Sequence, residues 1–449
     1  MQPASKIEQN SKSRKPAIII PSKKHALVKT KINRNALVVL QRLHQADCQA
    51  YLVGGSVRDL LLGIKPKDFD VATDVHPETV RRLFRNSRLI GRRFRLVHVF
   101  FGPEIVEVAT FRAAHPEESH PEGIQSDSGM IIRDNIYGSI VEDAWRRDFS
   151  INALYYNIAD ESIVDYTGGM VDLEKKLIRI LGDAEQRYRE DPVRMLRAVR
   201  LAAKLDFVLE PETAKPILEL NQLIKLVAPA RLFDEVLKLF YCGHGMRAFR
   251  MLCHYEFFTL LFPQCDFLFT QESSDKDPYI SLILHSCKNT DMRIKQELSL
   301  NPAFLFAVLL WPALQRKVQR YQAEGEKFYQ AWQQAAQNIL SEQARSTAIP
   351  KRFSAMTQEI WQLQSSLLLR PRHNIQSIFT SLRFRAAFDF LVLRFESGET
   401  QLKNAVEWWQ EFQILDPEGR EAKIAQLERT KKKRKRKSRK KIKRPEEGQ

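Results

Sequence analysis

Asp68 and Asp70 lie two positions apart in "KDFDVAT" (67–73), a run that otherwise reads as a buried strand. Desolvating an unpaired carboxylate costs several kcal/mol or more, so the pair needs water, a cation or a positive side chain. Residues i and i+2 of a strand share a face, which would aim both carboxylates at one point while Phe69 and Val71 turn into the core. That arrangement suits a divalent cation, since Mg²⁺ takes hard oxygen ligands and is commonly shared between one or two carboxylates and substrate phosphates. An edge strand whose aspartates are solvated or salt-bridged is the competing account.

Other constellations surround the pair. In "LVGGSVRD", Gly54 and Gly55 follow a strand and open a helix, where backbone N–H groups and the helix dipole favour an anion, with Arg58 one turn in. A phosphate-cradling turn followed about a dozen residues later by a metal-binding pair has the parts needed for nucleotidyl transfer. In "EDPVRMLRAVR", Asp191, Arg194, Arg197 and Arg200 recur at steps of three and form a slowly winding stripe, with Val193, Leu196, Val199 and Ala203 opposite. The alternative is that Asp191 caps a helix beginning at Pro192 and the arginines form a solvated face. Glu107 in "EIVEVATF" is a further carboxylate, but strand alternation alone does not aim it at Asp68 and Asp70. "GRRFR" sets Arg92, Arg93 and Arg95 around Phe94, a combination able to meet phosphate and stack on a base. His115 and His120 fall in a polar stretch and read as exposed and uninvolved.

The elements that must position these residues follow from periodicity. "ALVVLQRLHQAD" (36–47) has helical spacing, "QAYLVGG" is a short strand, "SVRDLLLG" a helix ended by Gly63, and "PETVRRLFRN" a helix opened by Pro77. "RLVHVFFG" and "EIVEVATF" read as paired strands. Between Ala113 and Met130 the polar, turn-rich sequence reads as a mobile loop. After Gly168 and Gly169, helical patterning dominates, most clearly in "DPVRMLRAVRLAAKL", "RLFDEVLKLF", "PAFLFAVLLWPALQR", "FRAAFDFLVLRF" and "NAVEWWQEF".

The charge distribution is uneven. The formal net charge of +17 resolves into +8 over residues 1–34 and +11 over 429–449, leaving −2 for the body between. Both ends therefore read as disordered basic arms. The closing run would hold RNA phosphates by counterion release without reading sequence. The five cysteines form neither a CxxC pair nor a zinc spacing and read as structural thiols of a reducing, cytoplasmic compartment. No apolar run is long enough for a membrane span, and the first residues lack a secretory signal pattern.

"LVGGSVRDLLLG…KDFDVAT", "DAWRRDFSINALYYN" and "YREDPVRMLRAVRLAAKL" together resemble the head and neck motifs of the class II nucleotidyltransferase family, which holds the bacterial poly(A) polymerases and the CCA-adding tRNA nucleotidyltransferases. "LIGRRFRLVHVFFGPEIVEVATFR" resembles the poly(A) polymerase branch, where CCA-adding enzymes more usually have a Gly-Thr-Val type of sequence. The resemblance implies an α/β, polymerase-β-like nucleotidyltransferase head, a mostly α-helical neck and body, and disordered basic tails. The expected divisions are an arm (1–34), a head (35–168), a neck that binds RNA and selects the nucleotide (169–268), a helical body (269–428) and a tail (429–449).

By the same resemblance, Asp68 and Asp70 are metal ligands for two Mg²⁺ ions, and Gly55 and Arg58 contact nucleotide phosphates. Arg147 is the nucleotide-binding arginine, and Asp148 is a third catalytic aspartate that orients metal-bound groups or accepts the proton of the RNA 3′-OH. The alternative for Asp148 is that it caps a helix "FSINALYY" and pairs with a neighbouring arginine. Asp191 and Arg194 would read the base, and Arg197 and Arg200 would approach phosphate. The implied reaction is template-independent addition of AMP from ATP to RNA 3′ ends. The rival readings are a CCA-adding enzyme and a noncatalytic RNA-binding protein on the same scaffold.

Overall fold

Short apolar runs closed by turn residues build the first half of the chain, and longer amphipathic runs build the second. The computed structural model describes residues 16–91, 95–113, 123–125, 131–134, 136–269 and 277–427. It divides into two units, Met1–Leu226 and Val227–Gln449.

In the first unit, β1 (Ile18–Ile20), α1 (Arg34–Gln45), β2 (Ala50–Val53), α2 (Gly55–Leu61), β3 (Asp70–Thr73), α3 (Pro77–Leu83), β4 (Ser87–Ile90), β5 (Leu96–Phe101) and β6 (Glu104–Thr110) come first. After them come β7 (Gly123–Gln125), β8 (Ile131–Asp134), α4 (Ile140–Arg146), β9 (Leu154–Tyr156), β10 (Ile163–Asp165), α5 (Gly169–Glu174), α6 (Ala184–Glu190) and α7 (Val193–Leu205). Eight strands form one sheet in the order β1-β10-β9-β2-β3-β6-β5-β4. Within this sheet, among the described residues, only β3 and β6 pair in parallel. One face is apolar: Leu52, Val71, Val97, Val99, Val106 and Val108 pack with Ala36, Val39, Leu40 and Leu43 of α1 and with Val80 and Phe84.

Several sequence expectations shift. The N-terminal arm is built into the sheet from its middle onward, since β1 pairs with β10 and Leu27 and Ile32 are buried in the same core. The strand expected over "KDFDVAT" begins only at Asp70, so Asp68 precedes the ladder. The stretch read as a loop after Ala113 contains β7, which pairs with β8. "FSINALYY" is a single 3-10 turn (Ser150–Asn152) followed by β9, because β9 pairs on both sides and outweighs helical propensity. "PAFLFAVLLWPALQR" breaks into Pro302–Leu309 and Trp311–Ala323, with Pro312 opening the second helix.

The second unit is helical throughout. Trp311, Trp361 and Trp409 are fully buried in it, and the buried Arg394 lies over Trp311 and pairs with Glu399. Among the described residues, no helix is long and apolar enough to cross a membrane.

The turn after β10 illustrates how tightly the head is tied together. Asp165 accepts backbone hydrogen bonds from Thr167, Gly168, Gly169 and Met170 at 2.9–3.1 Å. A Cβ on Gly169 would lie 2.3 Å from the Ser150 carbonyl oxygen, so only glycine allows this approach. Gly169→Ala is therefore expected to cost about 3 kcal/mol, the upper range for overpacking, and to lower the melting temperature by several degrees. An unchanged thermal transition in circular dichroism would refute the tight approach.

Candidate active site

Asp70 opens β3 and stands in register with Val53 on one side and Glu107 on the other. Burial, then the charge of Glu107, push its carboxyl up to about 6, with Asp68 adding to the effect and Arg147 opposing it. The parallel pairing of β3 with β6 thus supplies what strand alternation alone did not, a reason for Glu107 to lie beside Asp70. Asp68 is exposed and Asp70 half-buried, so the carboxylates line an open edge. Among the described residues, no three acidic, histidine or cysteine side chains converge tightly enough to hold a metal by themselves. Crowded hard-oxygen donors at an open edge nevertheless fit Mg²⁺ that takes its remaining ligands from substrate phosphates and water.

Gly54 lies above this edge with φ +74° and ψ −138°, a backbone conformation suited to glycine. A side chain there would come 3.6 Å from an Arg147 terminal nitrogen (Nη1) and 3.9 Å from Asp70 Oδ2. Gly54 therefore keeps open the place where β2, Asp70 and Arg147 meet. A Cβ on Gly55, the glycine singled out from sequence, would instead meet the Arg58 guanidinium at 3.4 Å.

Arg147 is held from behind. Its Nε donates to the Tyr155 hydroxyl (2.9 Å) and to Asp143 Oδ2 (3.2 Å), and its Nη2 donates to Asp143 Oδ2 (2.9 Å). The Tyr155 hydroxyl donates to the same carboxylate oxygen at 2.7 Å, and the Arg112 backbone N–H donates to Asp143 Oδ1 at 3.2 Å. Burial opposes the Arg147 charge, but Tyr155 and Asp143 raise its pKa well beyond the usual value. Burial, aided by Asp143, pushes the Tyr155 phenol upward too, so it remains a donor.

Positive charge is concentrated nearby. Burial and the charges of Arg112, Arg187, Arg194 and Arg147 press the pKa of Arg146 well downward. Burial and Arg194 lower Arg187 to about 10, although Glu190 partly compensates. Arginine does not deprotonate in proteins, so this crowding concentrates positive charge in a partly desolvated place. Arg187 donates to the Arg146 and Arg147 carbonyls (2.5 and 2.9 Å), while its buried Nε has no partner among the described residues. Sequence reasoning missed Asp143, Tyr155, Arg146 and Arg187. The i,i+4 spacing of Asp143 and Arg147 carried a signal, whereas Tyr155 arrives from β9 and carried none.

Two of the expected site residues turn inward. Arg58 is 4% exposed. Its Nε and Nη2 donate to Asp59 Oδ1 (2.8 and 2.6 Å) and its Nη1 to Asn152 Oδ1 (2.5 Å), while Lys204 of α7 donates to the other Asp59 oxygen at 2.8 Å. Its guanidinium is therefore a buried strut joining α2 to the turn before β9. Asp148 accepts from the Phe149 backbone N–H (2.8 Å) and Asn152 (3.0 Å) through one oxygen and from Arg197 Nε (2.8 Å) and Nη2 through the other. Burial works against its charge, but Arg197 and these hydrogen bonds hold it well below the usual carboxylate range.

The α7 stripe is engaged residue by residue. Asp191 is buried at the C-terminal end of α6, before the helix itself begins at Val193. Arg194 donates to the Arg187 carbonyl (2.7 Å) and Glu190 (2.9 Å), Arg197 binds Asp148, and Arg200 is half-buried farther along. Val193, Leu196, Val199 and Ala203 are buried on the packed side as expected. Arg92, Arg93, Phe94, His115, His120 and the basic run from 429 lie outside the described residues.

Known proteins match the chain along most of its length. The family described as "Poly A polymerase head domain" matches residues 50–179. "Probable RNA and SrmB-binding site of polymerase A" matches 206–268, and "Polymerase A arginine-rich C-terminus" matches 324–443. Poly(A) polymerase I of Salmonella typhimurium is 49% identical over 415 residues, covering 91% of this chain and 89% of that protein. The CCA-adding enzyme of Lactobacillus gasseri is 37% identical over 216 residues, 48% of this chain and 52% of that protein. A solved Thermotoga maritima CCA-adding enzyme, complexed with tRNA, shares the fold at a TM-score of 0.57 and 19% identity, over 89% of this chain and 88% of that one.

Two outcomes follow from the geometry. Arg58→Ala strands Asp59 and Asn152, so it should destabilise the protein by about 3 kcal/mol while leaving the nucleotide KM of the folded fraction near wild type. A raised KM without a lowered melting temperature would restore Arg58 to the phosphate site. A carboxyl raised from 3.8 to about 6 adds stability below its unfolded value and loses it as pH rises through about 6. In chelator, Asp70→Asn should therefore melt higher than wild type at pH 8 but not at pH 4. The full displacement equals about 3 kcal/mol, which solvent at the open edge would reduce to about 1–2 kcal/mol. Equal effects at both pH values would show that Asp70 is not charge-crowded.

Proposed function

Since this chain belongs to the bacterial poly(A) polymerase family, we propose that the edge built by Asp68, Asp70 and Glu107 is where it adds AMP from ATP to RNA 3′ ends. The reaction is template-independent polyadenylation and releases pyrophosphate. The observation that carries the site assignment is the pairing of opposites: a crowded carboxylate row at Asp70 and an Arg147 terminal nitrogen meet across the gap kept by Gly54.

Asp68 and Asp70, with Glu107 beside them, would hold two Mg²⁺ ions. These ions, when bound, supply charge stabilisation at the α-phosphate and activation of the RNA 3′-hydroxyl. The protein side chains do the rest. Arg147, fixed by Asp143 and Tyr155, faces the triphosphate with a preset orientation and needs no reorganisation when charge develops. The arginines around Arg146 attract the polyanion. Asp148 is assigned the positioning of α7 through Arg197, because a carboxylate with both oxygens engaged and a lowered pKa has little appetite for a proton. Asp191 and Arg194 would present acceptor and donor groups to the adenine edge, with Arg197 and Arg200 behind them. None of the five cysteines forms a disulfide, which supports a reducing compartment, and cytoplasm is the proposed location. RNA-decay or RNA-chaperone partners are proposed only as a class.

The decisive experiment supplies purified protein with Mg²⁺, ATP or CTP singly, and either a generic RNA or a tRNA lacking its CCA end. A long ladder with ATP on the generic RNA is expected, reduced at least 100-fold by Asp70→Ala or Glu107→Gln without loss of folding. Incorporation confined to the truncated tRNA, with CTP used first, would establish a CCA-adding enzyme. Extension by Asp70→Ala at the wild-type rate would sink the metal assignment.

A further inference from the structure

We propose that the open face of β4, β5 and β6 is the landing surface for the last nucleotides of the RNA 3′ end. The proposal rests on the reading of Asp70 and Glu107 as the extension site. Alternation along these strands divides their side chains cleanly. Val97, Val99, Val106 and Val108 face the apolar core, so Leu96, His98, Phe100, Ile105 and Glu107 face the other way.

Register makes this face continuous with the carboxylates. Asp70 pairs with Glu107, Glu107 with His98, and His98 with Arg88, so four polar side chains form one row across four neighbouring strands. Strands lie about 4.8 Å apart, which sets Arg88 roughly 14 Å from Asp70, a span suited to a short single strand. His98 Nε2 lies 3.2 Å from Glu107 Oε1, tying the row together at its middle.

The composition of the face fits single-stranded RNA. Phe100 and Ile105 pair directly across β5 and β6, and Ile105 is 44% exposed. The Phe100 ring meets the His98 ring edge-on at 6.2 Å, and the exposed Arg88 guanidinium lies 5.7 Å from the Phe100 centroid. Among the described residues, Arg88 makes no ion pair. An aromatic and an aliphatic platform for bases, with a cation that lies over the aromatic ring and makes no ion pair among the described residues, is how proteins hold single strands without reading their sequence. A sheet face that places such a platform beside metal-binding carboxylates would bring the terminal ribose toward Asp70 and Glu107.

The test uses the full chain with a short fluorescent oligo(A), at about 0.2 M salt so that diffuse contacts from basic segments contribute little. Arg88→Ala and Phe100→Leu should each raise the KM for oligo(A) by about 5–20-fold, with the KM for ATP and kcat at saturating RNA unchanged. Arg88→Ala should also lower the salt dependence of oligo(A) binding by about one phosphate contact, and Arg88→Lys should restore most of it. Unchanged RNA KM values in both folded variants would overturn the proposal. Oligo(A) carrying a photoreactive adenine at its penultimate position should crosslink to the peptide containing Phe100 in the wild-type protein. Crosslinks confined to other segments would likewise overturn it. If wild type extends no RNA but anisotropy still falls in the variants, the landing surface stands and the polymerase reading fails.

Discussion

Crowded charge of opposite sign, held a few ångströms apart by backbone, is the constraint on which the head of this protein depends. Asp70 sits beside Glu107 because two strands pair in parallel, and Arg147 faces it because Asp143 and Tyr155 leave the guanidinium one direction in which to point. Left to themselves, the carboxylates repel one another and the arginines crowd. Each group is charged and partly desolvated, so the cost is relieved only by ligands that carry the complementary charge. Metal ions and a nucleoside triphosphate carry both kinds.

A site with that much internal repulsion needs a rigid mount, and buried ion pairs supply it. Arg58 and Asp59 of α2 meet Lys204 of α7, while Asp148 meets Arg197 of the same helix. Such pairs add little net stability relative to an apolar core, yet they fix orientation because breaking one strands the other charge. Four charged residues of α2 and α7 are thereby committed to geometry, and Asp148 performs the same service from the segment before β9. Division of labour between charges that face the cleft and charges that brace it explains why neighbouring residues of one motif, Arg147 and Asp148, have opposite surroundings.

Much of this was legible in the residues. The Asp68/Asp70 pair, the glycine turn and the apolar side of α7 could be read from local spacing, while Arg147 was legible through the motif resemblance. Glu107 could not be aimed, because its direction depends on which strand β6 pairs with, and that is a property of the whole sheet. The partners of Arg58 were hidden for a related reason: one turn into a helix beside a glycine pair is a good place for a phosphate ligand, but in the fold its guanidinium meets Asn152 and Asp59, one of them distant in sequence. Asp148 was singled out by resemblance, while the arginine that holds it lies on α7. The built-in part of the N-terminal arm was hidden by composition, as its basic residues surround three consecutive isoleucines that pair with β10.

The arrangement also bears on how addition can proceed without a template. Selection of the incoming nucleotide requires fixed groups, and on the proposed reading α6 and α7 supply them through Arg187, Glu190 and Arg194, held in a network of short bonds. A growing homopolymer makes the opposite demand, because every added residue must become the next primer and slide by one step. Fixed polar readout of that primer would oppose translocation, whereas stacking and phosphate contact are nearly the same before and after a shift. On the proposed reading, the rigid hydrogen-bonded network of α6 and α7 and the apolar, aromatic sheet face beside Glu107 would meet two different requirements of one reaction: discrimination where the monomer enters, and tolerance where the chain leaves.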